Sequence, residues 1–166
     1  MNEIKKNGWK NTEDPYELFK AAQRDILTVG SIINYKEFQP EDNIETVCRS
    51  AAESAEKMLK GWIISNDYNK KVFGIHDLGK LYDIASNMNN SFLKLKDKLN
   101  NLNEYTTALR YNSRSTIDEY EVKECLKNLK YIYDFPLIKE LRDKINTENN
   151  YVKLPDDINT LFGEYK

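Results

Sequence analysis

The residues with the most chemistry in this chain are a lone histidine, two acid–base pairs before it and an arginine–tyrosine pair after it. His76 stands beside Asp77 and is the single histidine of the 166 residues. An imidazole titrates near neutral pH and can serve as a general base. It can equally cap a helix start or fill a seam between helices. Arg110 and Tyr111 fall where a helical pattern gives way to a loop, Arg110 to Ser115. A guanidinium there can grip a phosphate through its planar fork, and a phenol ring can stack a base. The same arginine can also satisfy the last carbonyls of its own helix. Arg114 is near enough in sequence to join a phosphate site. Upstream, Glu53 with Lys57 and Glu56 with Lys60 are glutamate–lysine pairs in the favourable helical order. Support of a helix surface explains Glu56 and Lys60. Glu53 and Lys57 lie closer to the apolar stripe and can form a half-buried polar cluster with Arg110 or His76. The residues expected to bind a ligand are therefore Glu53, Lys57, His76, Arg110 and Tyr111.

Other chemistries have less support. Cys48 and Cys125 sit in apolar helical patterns, where a buried free thiol is the ordinary reading. They form no CxxC and no metal-type spacing, so neither metal nor cofactor is expected. Carboxylate neighbours such as Asp118-Glu119 and Asp156-Asp157 read as helix starts. Glycine-rich phosphate loops, the dinucleotide fingerprint and the serine-hydrolase elbow are all missing from the sequence. With 25 basic and 27 acidic residues the net charge is −2, which does not advertise nucleic-acid binding. The start of the chain, MNEIKKNGWKNTED, has no hydrophobic run of the signal-peptide kind, and no stretch has the length of a membrane span. The expected compartment is the cytoplasm.

The elements that must position these residues are helices. The stretch Asp42–Asn66 repeats Ile44, Val47, Cys48, Ala51, Ala55, Met58, Leu59 and Trp62 at three-and-four spacing, one apolar stripe on a long helix. Asp42 and Glu45 read as its capping box. Before it, Asp14-Pro15-Tyr16-Glu17 opens a helix whose stripe is Leu18, Ala22, Ile26, Val29 and Ile33. A third helix begins near His76-Asp77 and carries Leu78, Leu81, Ala85 and Met88. A fourth covers about Phe92 to Leu109. A fifth, opened by a Thr116–Glu119 capping box, carries Val122, Cys125, Leu126, Leu129, Ile132 and Tyr133. Phe135-Pro136 breaks it, and a shorter helix continues to about Asn146. Strand and repeat signals are missing. The expected fold is all-α, an up-and-down bundle of about five main helices. It spans residues 14–148, between a flexible tail at 1–13 and a C-terminal tail at 149–166 with one short helical turn.

Three of these pieces together resemble the HEPN family. The segment AAESAEKMLKGWIISN is similar to the family's second helix. Ile75-His76-Asp77-Leu78, with Leu81 after it, is similar to the HDL opening of the third. Leu102, Tyr105, Thr106, Arg110 and Tyr111 resemble the ending of the fourth, with Asn112 in place of a proline. The order and spacing agree over about residues 15–135. The resemblance implies a helical bundle that usually dimerises. It also implies a role among metal-independent RNases of toxin–antitoxin and defence systems, or among non-catalytic companions of nucleotidyltransferases. The RNase groups carry an arginine four to six residues before a histidine. Here Lys70, Lys71, Val72, Phe73, Gly74 and Ile75 precede His76, so the pattern is not met. The expected function is a non-catalytic module, working as a homodimer or with a nucleotidyltransferase or antitoxin partner, that binds a nucleotide or RNA. Two alternatives are a diverged RNase that brings His76 and Arg110 together, and a structural helical adaptor.

Overall fold

The second helix, α2 (Pro40–Asn66), is the axis on which the other described α-helices pack. In the computed structural model, which describes residues 14–34, 40–107, 117–148 and 157–163, α2 touches every other α-helix of the described chain. These are α1 (Pro15–Ile33), α3 (Leu78–Met88), α4 (Lys96–Thr107), α5 (Glu119–Tyr133) and α6 (Pro136–Glu148). A 3-10 helix, Asn90–Leu95, leads into α4, and another, Ile158–Leu161, packs near the end of the chain. No strand occurs among the described residues. The all-α expectation holds, with a sixth helix after the break at Pro136.

The stripe of α2 is wider than the one read from its sequence. Ala52, Ile63 and Ile64 are buried together with Val47, Ala51, Ala55, Met58, Leu59 and Trp62. Helix α2 is enclosed by its neighbours from Ala51 to Ile64 apart from half-buried Glu53 and Lys57, so even its charged residues lie in or near the interior. The closest approach is to α1. A Cβ on Gly61 would lie 2.7 Å from the Phe19 ring, so only glycine lets the two backbones meet there. Ser54 Oγ donates to the Ala22 carbonyl at 3.2 Å across the same seam. On the other side Trp62 packs on Phe92 at 4.4 Å between ring centroids, and Phe92 on Phe135 at 5.1 Å. This aromatic row ties α2 to the first 3-10 helix and to the α5–α6 corner.

Helix ends follow local chemistry, with three corrections. Helix α2 starts at Pro40, with proline at its first position, so Asp42 lies inside the helix and is not its N-cap. The capping box of α5 is Asp118 with Glu121: Glu121 N–H donates to Asp118 Oδ1 at 2.8 Å, and Asp118 N–H to Glu121 Oε2 at 3.2 Å. Thr116, expected in that role, lies outside the described residues. The segment from Asn90 to Leu95 is 3-10 rather than α. Asn89 caps it through Ser91 N–H, and its asparagine-rich start supplies little α propensity. Helix α6 is held to α5 by Arg142, whose Nη1 donates to the Tyr133 carbonyl at 2.6 Å while its guanidinium stacks on the Tyr133 ring.

Candidate functional site: a buried carboxylate held by lysine and histidine

The helical register of α2 carries Glu53, Glu56, Lys57 and Lys60 along one side, and the fold separates them into two ion pairs. Lys57 reaches across to Asp25 on α1, not back to Glu53. Both partners are about one-quarter exposed. Burial pushes the Asp25 carboxyl above its usual range; Lys57 opposes the shift, and Glu53 and Glu56 add to it. The expected Glu53–Lys57 pairing is therefore replaced by an inter-helix bridge. Glu53 is half-buried beside it, acting on Asp25 through its charge.

Glu56 and Lys60 behave in the opposite way to the surface role expected of them. Their side chains are only 7% and 9% exposed, and Lys60 Nζ donates to Glu56 Oε1 at 2.7 Å. A buried pair of this kind loses more hydration than a surface pair and holds only with good geometry. The same oxygen lies 3.1 Å from His76 Nδ1. The other oxygen, Glu56 Oε2, is buried and has no hydrogen-bond partner among the described residues. An unpartnered buried carboxylate oxygen costs about 1–3 kcal/mol or more, so the seam is polarised toward accepting a further donor.

His76 is delivered to this carboxylate by the start of α3. Asp77 caps the helix, accepting from Gly79 N–H at 2.8 Å. Asn103 of α4 then braces the cap: its Oδ1 accepts from Leu78 N–H at 2.8 Å, and its Nδ2 donates to Asp77 Oδ1 at 3.2 Å. The backbone just before α3 is thereby fixed against α4, and the imidazole one residue earlier meets α2. The His76 side chain is 48% exposed, so the ring links the buried carboxylate to solvent.

The fold thus brings His76 together with Glu56 and Lys60, and places Lys57 and Glu53 on the adjacent Asp25 seam. Arg110 and Tyr111 lie outside the described residues, as does Arg114. Sequence reasoning missed Glu56 and Lys60 as interior residues. The available signal was the spread of Ala52, Gly61, Ile63 and Ile64 around the whole helix, which leaves no wet face for the polar residues between them. Among the described residues, no cluster of His, Cys, Asp and Glu has the makings of a metal centre. No described helix is long and apolar enough to cross a membrane.

A family model, the HEPN domain, matches residues 31–144. The chain belongs to the HEPN family. No curated protein and no solved structure matches it. The matched HEPN segment takes in all of α2 to α5, and with them the Glu56–Lys60–His76 seam.

Proposed function

We propose that this HEPN domain is a non-catalytic binding module that takes a nucleotide, free or at the end of an RNA, at the Glu56–Lys60–His76 seam. The observation that carries the reading is Glu56: a buried carboxylate with one oxygen shared by Lys60 and His76 and the other unpartnered. A ligand meets the seam at the half-exposed His76 ring, which Glu56 holds from behind. His76, at the solvent end of the seam, would contact the sugar or phosphate. Arg110 and Tyr111 are proposed to complete the site by gripping phosphate and stacking the base. The module works as a homodimer or beside a nucleotidyltransferase or antitoxin protein.

A thermal melt against a panel of mononucleotides tests this. A ligand at a hundred times its dissociation constant adds about 2.7 kcal/mol to the folded state. In a chain of this length that raises Tm by roughly 5–11 °C. The shift should vanish in His76→Ala, whose half-exposed ring can be removed without opening the core. No shift with any nucleotide, or an undiminished shift in His76→Ala, removes the reading.

One observation favours a second reading. His76 Nδ1 lies 3.1 Å from Glu56 Oε1 and the ring is 48% exposed, so a carboxylate holds one edge of the only imidazole in the chain while the ring reaches solvent. That arrangement suits proton removal from an RNA 2′-hydroxyl, the first step of metal-independent cleavage. Incubation of wild type and His76→Ala with structured RNA decides: cleavage lost in the variant establishes an RNase, and equal absence of cleavage leaves the binding module.

A further inference from the structure

The end of α3 opposite His76 borders a concave surface. His76 lies two residues before the first residue of α3 and Ser91 three after its last. The 11-residue helix puts about 16 Å between its ends. At the far end, the first 3-10 helix, α5 and the α5–α6 corner enclose a groove of about 610 Å³. Its floor is apolar, built from Phe135, Pro136 and Leu137. Its walls carry Lys94, Lys127, Lys130 and Tyr131. Lys98 of α4 stands 5.5 Å above the Tyr131 ring, so a further cation borders the same wall. Tyr131 in the groove wall is 46% exposed, high for a large aromatic side chain.

The charges are not all available. Lys130 is bonded to Asp134 and lies 3.7 Å from Asp157, and Lys127 lies 3.5 Å from Glu124. Lys94 and Lys98 have no carboxylate partner among the described residues. The groove therefore offers one open cation, Lys94, over an apolar floor, with Lys98 at the Tyr131 edge and carboxylates nearby. A nucleic-acid strand, carrying a charge at each phosphate, would bring several of those charges against Asp134, Asp157 and Glu124. A protein segment fits better: apolar side chains on the floor, carboxylates to Lys94 and Lys98, and backbone N–H or hydroxyl donors toward Asp134.

We propose that the groove between the first 3-10 helix and the α5–α6 corner docks an acidic, amphipathic segment of a partner protein. This is a surface distinct from the Glu56 seam and independent of what that seam binds. The recognition mode is the laying of one apolar face into a groove, with charge complementarity at the rim choosing the partner.

The probe is a synthetic peptide of about 15 residues, the length at which an isolated helix begins to hold. It carries Leu and Phe on one helical face and Glu on the other. Amide chemical shifts of the whole protein are followed as the peptide is added. The expected result is perturbation centred on Ser91, Lys94, Tyr131 and Leu137, with the amides around His76 unmoved. Lys94→Glu should weaken the binding by about tenfold or more, since it sets like charges face to face. Tyr131→Ala provides a second variant, and both positions are exposed enough to leave folding intact. Lys80→Glu makes the same charge change beside Asp77 and should bind as wild type does. A peptide with Ser in place of Leu and Phe should not bind. The proposal is overturned if the amphipathic peptide perturbs nothing, if the Ser peptide does as well, or if Lys80→Glu loses as much as Lys94→Glu. It is also overturned if a single-stranded RNA of about 10 nucleotides occupies the groove more tightly than the peptide. None of these results bears on the nucleotide melt, which reads the other end of α3.

Discussion

Removing one member of the Glu56–Lys60 pair should be far more damaging than removing both. In Glu56→Leu the ammonium of Lys60 loses its carboxylate at a position 9% exposed. Breaking a buried pair in this way costs about 3–5 kcal/mol, because an uncompensated charge stays behind. For a chain of this size each kcal/mol lowers Tm by roughly 2–4 °C, so a fall of about 6–20 °C is expected. Lys60→Met should cost a similar amount, since Glu56 Oε2 already lacks a partner among the described residues and Oε1 would keep only His76. The double change Glu56→Leu with Lys60→Met removes both charges and leaves apolar side chains of similar volume. Such exchanges are neutral or stabilising by about 1–4 kcal/mol. Urea unfolding of the four proteins gives the coupling directly. The double variant should be at least as stable as wild type and should no longer shift with nucleotide. Single variants that each cost less than about 1 kcal/mol, or costs that simply add, would mean that the pair is solvated and that Glu56 is not the buried carboxylate described above.

Three further outcomes follow from other contacts. Gly61→Ala should destabilise by about 1 kcal/mol net, because overpacking the Phe19 ring costs about 1–3 kcal/mol against about 1 kcal/mol gained in helix propensity; adding Phe19→Leu should reverse the sign in denaturant melts. Arg142→Lys should cost about 2 kcal/mol or more in the same melts, since lysine cannot both bond the Tyr133 carbonyl and stack on its ring. Asp25 has a raised carboxyl pKa in the folded state, so the folded state holds that proton more tightly than the unfolded one. Its protonated form favours folding at low pH, and that contribution is lost as pH rises through the folded value. Relative to wild type, Asp25→Asn should therefore gain stability between pH 3.5 and pH 6 in paired thermal melts, and an unchanged difference across that range would refute it.

Periodicity was enough to recover the helices because each has an apolar side that must be buried. The stripe of α1, Leu18 to Ile33, is buried as spaced, and so are Val122 to Tyr133 of α5. The N-cap Asp14 was equally visible, a short acceptor just ahead of a periodic run, whereas at α3 the start was legible but the capping role expected of His76 falls to Asp77. What periodicity could not give is which polar residues of an interior helix face one another. Glu53–Lys57 and Glu56–Lys60 have the same spacing and the same favourable order. Only the positions of Asp25 on α1 and His76 before α3 distinguish them, and both are set by tertiary packing. The Asn103–Asp77 brace was likewise hidden, because asparagine in a helix usually reads as a solvated or weakening residue.

The two thiols give this domain a built-in reporter. Cys48 on α2 and Cys125 on α5 are both fully buried, and the Cys125 thiol points at the Cys48 carbonyl across the interface at 3.8 Å. Burial also pushes the Cys125 thiol pKa upward, which keeps it from forming the reactive thiolate. An alkylating reagent therefore has to wait until α5 lifts from α2. Its reaction rate, followed by mass, counts those openings directly. If the rate equals that of global unfolding, the bundle opens as one unit around its central helix. If it is faster, α5 leaves first, and the rest of the domain outlives the loss of one wall.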